Sequence, residues 1–380
     1  MTGLKKIVER FRYRIETAIR GKSTSPVFSI ETVLLVLSIV YGGLMCLRAR
    51  LYEKGLLPSR NLPCRVVSIG NIIAGGTGKT PMTIMVARMI RDMGYRVVVI
   101  SRGYRGRMED SGGIVSDGRT IFKGSGDAGD EPYLMARILK GIPVVVGKRR
   151  YTSGMMAVKR FNPDVIVLDD AFQHLPLRRD LNLLLLDSRS PFGNGYLLPR
   201  GVLREPVSAL RRAQVVIFTR TSSAVKPSIP DALPDHWPVF YTRHVPVIRK
   251  SGQGDDTFLT DTMDMSILKG KRVVAFSGLA DNLQFFDSLE QAGCRLDHTF
   301  SFADHHRYGR NDLDRIADAT KEKGADAIVT SLKDYVKIEN HSHWPVTLVT
   351  VDVNIELTRD ADLFAARLST ALNGIRYKKD

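Results

Sequence analysis

Residues 68–81 read SIGNIIAGGTGKTP, a β-branched, apolar run that stops in glycines and passes at once into Lys79, Thr80 and a helical pattern. Small residues at Gly75, Gly76 and Gly78 let backbone N–H groups turn inward on a polyphosphate, and the following helix points its positive end at the same anion. In such a loop, spanning Ile73, Ala74, Gly75, Gly76, Thr77, Gly78, Lys79 and Thr80, the lysine reaches the β- and γ-phosphates and the threonine offers its hydroxyl to Mg²⁺. The strict pattern wants glycine where this chain has Ile73, so the match is to a GGxGK[ST] variant.

Outward from the loop, short apolar runs alternate with amphipathic stretches, as in a mainly parallel α/β sheet with helices on both faces. Strands are expected at 66–69, 96–101, 142–147, 164–168, 181–187 and 214–219, with the loop's helix over 80–93 and closed by Gly94. A proline-rich stretch at 225–246 breaks the rhythm and reads as a linker. Beyond it the alternation restarts, with strands at 272–276, 295–302, 325–330 and 346–351 and helices at 282–292, 312–323 and 361–372. Three parts are therefore expected: a membrane-associated segment (1–60), a nucleotide-binding domain (61–225), and a linker with a smaller α/β domain (226–380).

The 380 residues carry a net charge of +16 with a pI near 9.8, which calls for an anionic partner: nucleotide, nucleic acid, acidic headgroups or a phosphorylated substrate. Charge alone does not choose among them. Cys46, Cys64 and Cys294 are odd in number and far apart, which supports neither a disulfide framework nor paired zinc ligands and fits a reducing cytoplasmic setting.

Seven cations lie within residues 1–22, and 27–47 is apolar apart from Ser29, Glu31, Thr32 and Ser38. No small-residue cleavage site follows, against a signal peptide. A spanning helix needs about 20 apolar residues, so the segment sits at the margin, with Glu31 a costly inclusion. A helix lying in one leaflet beside anionic headgroups is the preferred reading, and a core helix of the soluble domain is the alternative.

Other constellations are open on their own. DVIVLDDAFQH (164–174) ends an apolar strand in Asp169 and Asp170, where one carboxylate can meet Mg²⁺ and the other face away, or the pair can simply make a turn. GDAGDEP (126–132) precedes a helix beginning near Pro132, and on spacing alone capping and the helix dipole account for its carboxylates. Asp304, His305 and His306 follow a strand; a carboxylate and an imidazole can together remove a hydroxyl proton, and neighbouring histidines in a loop are also commonly solvated. Arg102, Arg149, Arg150, Arg178, Arg179, Arg200 and Arg204 place cations on loops after strands, where arginine suits phosphate oxygens or water equally.

Taken in order, GNIIAGGTGKTP (70–81), SRGYRGR (101–107), GDEP (129–132), LDDAFQHLPLRRDLNLLLLD (168–187), LLPRGVLREP (197–206), FSGLADN (276–282) and FADHHRY (302–308) closely resemble the tetraacyldisaccharide 4′-kinase, or lipid A 4′-kinase, family of Gram-negative bacteria. The resemblance implies an ATP- and Mg²⁺-dependent transfer of the γ-phosphate to the 4′-hydroxyl of a lipid disaccharide 1-phosphate. It places the chain on the cytoplasmic face of the inner membrane, peripheral or monotopic, against an anionic surface, with neither nucleic acid nor an obligate protein partner. It also implies Asp130 with His305 as the base pair, Thr80, Asp169, Asp170, Gln173 and Glu205 near the metal, and Arg150, His174 and Arg204 on substrate or phosphate. Family members commonly carry glycine where this chain has Ala171, which affects the turn after the acidic pair. The competing class is a regulatory or metal-delivery P-loop NTPase working as a conformational switch. A GTPase would show an NKxD motif, and the nearest string, Ser331-Leu332-Lys333-Asp334, has the wrong order. A membrane adaptor has no need of a glycine loop and an acidic strand end.

Overall fold

The structure is a computed structural model that describes residues 30–221, 237–251, 258–339, 341 and 343–373. The basic cluster of residues 1–22 and Pro227, Pro230 and Pro234 of the proline-rich stretch lie outside the described residues. Twelve strands form one sheet in the order β10-β9-β11-β12-β8-β7-β6-β1-β5-β2-β4-β3. In chain order they are β1 (Arg65–Gly70), β2 (Val97–Ser101), β3 (Gly113–Ser116), β4 (Val144–Val146), β5 (Val165–Leu168), β6 (Leu181–Asp187), β7 (Val215–Thr219), β8 (Val239–Ser251), β9 (Arg272–Ser277), β10 (Arg295–Ser301), β11 (Ala327–Ser331) and β12 (Thr347–Leu357).

The pairing is parallel except where β3 meets β4 and β8 meets β12. β1 lies between β5 and β6, and these strands are mostly valine, isoleucine and leucine, as suits strands covered on both faces. The expected strands all form, shifted by one or two residues at most ends. Two more were not expected. β3 is a short edge strand, and β8 begins at Val239, inside the stretch read as linker, and runs on to Ser251. It pairs parallel with β7 and antiparallel with β12, so it joins the two halves of the sheet. Its Arg243, His244 and Pro246 obscure the strand pattern in sequence, and Pro246 stands opposite Val353.

The helices are α1 (Ile30–Glu53), α2 (Lys79–Asp92), α3 (Ser125–Ala128), α4 (Asp130–Ile138), α5 (Arg150–Phe161), α6 (Asn282–Gln291), α7 (Arg310–Lys323), α8 (Leu332–Ile338) and α9 (Ala361–Asn373). α4 of the first half packs on α8 of the second, where the Glu339 carboxylate accepts from both Arg137 and Tyr133.

α1 is long and apolar enough to cross a bilayer, yet it docks along one stripe only. Leu34, Ser38 and Gly42, spaced four residues apart, are its buried positions. Ser38 Oγ donates to the Leu197 carbonyl at 2.8 Å and Tyr41 Oη to the Arg204 carbonyl at 2.8 Å. Val33, Val36, Leu37, Ile39, Val40, Leu44 and Leu47 are each at least 50% exposed, too much apolar surface in one patch for a core helix.

Gly70 closes β1 at the mouth of the glycine loop. A Cβ there would lie 2.7 Å from Phe172 Cβ and 2.8 Å from its backbone nitrogen, so the turn after the acidic pair can press onto the strand only with glycine beneath it. Gly70→Ala is expected to cost about 1–3 kcal/mol, the usual penalty for overpacking, read as a lower midpoint with unchanged slope in urea unfolding.

Candidate active site

The loop between β1 and α2 is braced from below. Asn71 Nδ2 donates to Thr77 Oγ1 at 2.8 Å inside the protein, and Gln173 Nε2 donates to the Asn71 carbonyl at 2.7 Å. Gly75 and Gly78 hold φ of +120° and +79°, the left-handed range that glycine alone adopts freely. Gly78 sits at the N-cap of α2 with no side-chain cap, so the first amides of the helix remain available to an anion. The eight residues of the motif are not equally open. The Ile73 side chain packs in an apolar cluster with Leu203, and the Ala74 N–H is taken by the Val202 carbonyl at 2.7 Å. Gly75 to Gly78 form the turn itself, and Lys79 and Thr80 open α2.

Lys79 lies across the turn, its Nζ 3.4 Å from the Gly75 carbonyl and 3.9 Å from Asp170 Oδ2. Burial pulls its pKa below the ordinary lysine value, against the pull of Asp170. Arg220, not expected from sequence, donates to the Gly76 carbonyl at 2.6 Å and pairs with Asp187 at the end of β6.

The two aspartates after β5 do diverge. Asp169 is buried, accepting from Thr83 Oγ1 and from Ser101 Oγ, each at 3.0 Å. Burial, with Glu131 and Asp170 nearby, pushes its carboxyl up to about 7. Asp170 turns toward the loop through a φ of +46°, where Arg204 Nη1 reaches it at 3.1 Å. Burial would raise its pKa, but Lys79 and Arg204 outweigh that and hold it below the usual carboxylate value. Since Asp170 takes the left-handed conformation, Ala171 needs none; it is buried and donates its N–H to the Ile69 carbonyl at 3.1 Å.

Gln173 links this turn to the segment before the 3₁₀ turn Val207–Arg212, its Nε2 lying 3.2 Å from Glu205 Oε2. Glu205 is itself buried and paired with Arg212, whose guanidinium lies over the Phe172 ring. Arg150 belongs to no solvated loop. It begins α5, is buried, and donates to the Gly147 carbonyl at 2.5 Å and to the Asp169 carbonyl at 3.3 Å, while burial lowers its pKa to about 10. His174 is neutral near pH 7, because burial, and then the charges of Arg150, Arg179 and Arg48, bring its pKa down to about 4. α1 reaches the same turn, Arg48 donating through both terminal nitrogens to the Gln173 carbonyl at 3.2 Å.

Asp130 and His305, 175 positions apart, meet: His305 Nδ1 lies 3.2 Å from Asp130 Oδ2. Capping therefore does not account for this carboxylate. Asp130 is the first residue of α4, after Gly129, and its side chain leaves the helix for the imidazole. His305 holds a φ of +59° and meets the edge of the Tyr104 ring with centroids 5.9 Å apart. His306 is committed elsewhere, 2.9 Å from Asp312 at the start of α7 and stacked on Phe302. Burial tends to raise the Asp130 pKa, yet His305, Lys337 and Lys333 more than offset it and the carboxyl lies below its usual value.

A glycine loop at the end of a central parallel strand, an acidic neighbouring strand end and a carboxylate–imidazole pair define a P-loop phosphotransferase of the small-molecule kinase type. Residues 30–373 match the model of the LpxK family, tetraacyldisaccharide-1-P 4′-kinase, and the chain belongs to that family. A tetraacyldisaccharide 4′-kinase of Desulfatibacillum aliphaticivorans is 41% identical over 350 residues, covering 91% of this chain and 94% of the relative. One from Geobacter metallireducens is 43% identical over 309 residues, covering 81% and 89%. A crystal structure described as the "apo" form of LpxK from Aquifex aeolicus in complex with ATP superposes with a TM-score of 0.73 at 30% identity, covering 90% of this chain and all of that one.

Proposed function

We propose that this chain transfers the γ-phosphate of ATP to the 4′-hydroxyl of a tetraacyldisaccharide 1-phosphate, giving the bisphosphorylated lipid A precursor. The observation that carries the reading is the Asp130–His305 contact in a chain that also holds the Lys79 loop. The switch alternative needs no such pair.

In this reading the amides of residues 75–79 and the Lys79 ammonium hold the polyphosphate, and Arg204 and Arg150 offset the charge that spreads over the transferred group. Asp130 accepts the hydroxyl proton as the sugar oxygen bonds to the γ-phosphorus and the bridging P–O bond breaks, releasing ADP. His305 orients the carboxylate. His174, being uncharged, serves as a hydrogen-bonding group toward the acceptor.

The donors beside the loop are hard oxygens, which suits Mg²⁺ bound partly through phosphates and water. Thr80 and Asp170 would hold the ion: Asp170 is partly accessible and faces the loop lysine, whereas both Asp169 oxygens are occupied by hydroxyls. Gln173 and Glu205 support this set from behind. The ion would neutralise phosphate charge.

We assign residues 61–225 to the nucleotide-binding domain and the later residues to the smaller domain, with α1 as a monotopic anchor on the cytoplasmic face of the inner membrane. Its exposed apolar side would enter the leaflet and leave the Tyr41 and Arg48 contacts at the site in place. Val36→Asp with Val40→Asp is expected to abolish co-sedimentation with anionic vesicles while the thermal midpoint stays unchanged. Continued sedimentation would move the anchor elsewhere. The function itself is tested with purified protein, labelled ATP and the tetraacyldisaccharide 1-phosphate. A labelled bisphosphorylated lipid is the expected product, and nucleotide hydrolysis with an unchanged acceptor would favour the switch.

A further inference from the structure

Helix α8 carries two lysines, Lys333 and Lys337, that the chemistry above does not use. Four residues apart, they share one helix face, and both point at the base pair. Lys337 is almost enclosed, its side chain 8% exposed, and its Nζ donates to Asp334 Oδ1 at 2.9 Å. Asp334 is fully buried and immobilised in turn: its Oδ2 accepts from Ser331 Oγ at 2.6 Å and from the Gly278 N–H at 2.9 Å. The ammonium so fixed lies 3.9 Å from Asp130 Oδ2, the same oxygen that faces His305. Among the described residues, Asp130 Oδ1 has no hydrogen bond or ion pair, so one oxygen is gripped twice and the other is left for a hydroxyl.

Lys333 does the corresponding thing to the imidazole. Its Nζ bonds Asp304 Oδ1 at 3.2 Å and lies 3.5 Å from His305 Nε2. An ammonium has donors only, so it faces the Nε2 lone pair, and the ring proton belongs on Nδ1, toward Asp130. Asp304 stands farther from Nε2, at 3.9 Å, and its charge is already matched by Lys333. Among the described residues, the charged groups nearest the pair are Asp304, Lys333 and Lys337, with Asp334 behind Lys337, and the Tyr104 ring that meets the imidazole carries Arg102 and Arg105 against it.

We propose that Lys333 and Lys337 are positioning residues for phosphoryl transfer, Lys337 aiming the Asp130 carboxylate and Lys333 setting the His305 tautomer. The inference rests on the base role of Asp130. It also means that the base becomes competent only when α8 of the second half lies against α4 of the first.

The test uses the full chain with vesicle-borne acceptor and follows kcat/KM against pH for Lys333→Met, Lys337→Met and Lys333→Arg. A double variant, Asp334→Asn with Lys337→Met, removes the charge and its buried partner together and covers the case in which the single change at 337 does not fold. Removing a cation raises the pKa of the neighbouring carboxylate, so protonated base persists to higher pH. The acid limb is expected to move up by about one pH unit in each methionine variant, with ATP affinity unchanged and Lys333→Arg close to the parent. Folded methionine variants whose acid limbs coincide with the parent's, or whose loss is a rise in acceptor KM alone, would overturn the proposal. Asp130→Asn run alongside separates the two readings. If it alone loses turnover, the base stands and the lysine roles fall; if it keeps parental turnover, the base reading falls and takes the lysines with it.

Discussion

Lys79→Ala is expected to lower the rate of phosphate transfer by about 10³-fold or more, as loss of the main cation on a transferring phosphoryl group does. The native fold should survive. The lysine's contacts are long, 3.4 Å to the Gly75 carbonyl and 3.9 Å to Asp170, and Asp170 keeps its tighter partner Arg204. Lys79→Arg should fail nearly as badly, because a planar fork cannot replace a compact ammonium in a turn this closely wound. Single-turnover transfer of labelled phosphate beside a urea melt checks both halves of the expectation. Turnover within tenfold of the parent would mean that the loop does not hold the nucleotide.

Asp130→Asn should cut kcat by about 10²–10⁴-fold, the ordinary range for a lost general base, with ATP binding unaltered. The amide keeps the carboxylate's shape and can still meet His305, so the loss would be one of charge and basicity. Steady-state kinetics at saturating ATP and acceptor distinguishes this from ground-state binding, which would raise KM and spare kcat.

Much of the fold was legible because its determinants are local. The strands flanking the loop are runs of valine, isoleucine and leucine, covered on both faces, and their apolar character marks them without tertiary knowledge. β8 escaped because Pro238, Arg243, His244 and Pro246 break that pattern, and the strand is defined by its neighbours β7 and β12. α8 escaped for another reason. The SLKD string at its start invited comparison with a base-reading motif, whereas in the fold Asp334 is a buried anchor that holds Lys337, and Lys337 and Lys333 lie beside Asp130 and His305. Arg150, counted among loop arginines, proved buried because α5 begins on it and the carbonyls of Gly147 and Asp169 take its guanidinium.

The amino-acid order alone established the glycine turn, the lysine and threonine that follow it, the acidic strand end and an apolar N-terminal helix, since each depends on residues within a few positions of one another. Which carboxylate faces the loop and which cations stand behind Asp130 and His305 came from three-dimensional packing, while the pairing of those two residues had been implied only by the family resemblance. Asp130 and His305 are 175 positions apart, the one opening α4 and the other in the loop between β10 and α7. No periodicity or spacing records a contact of that kind, because its energy resides in the fit between two surfaces that exist only after the chain has folded.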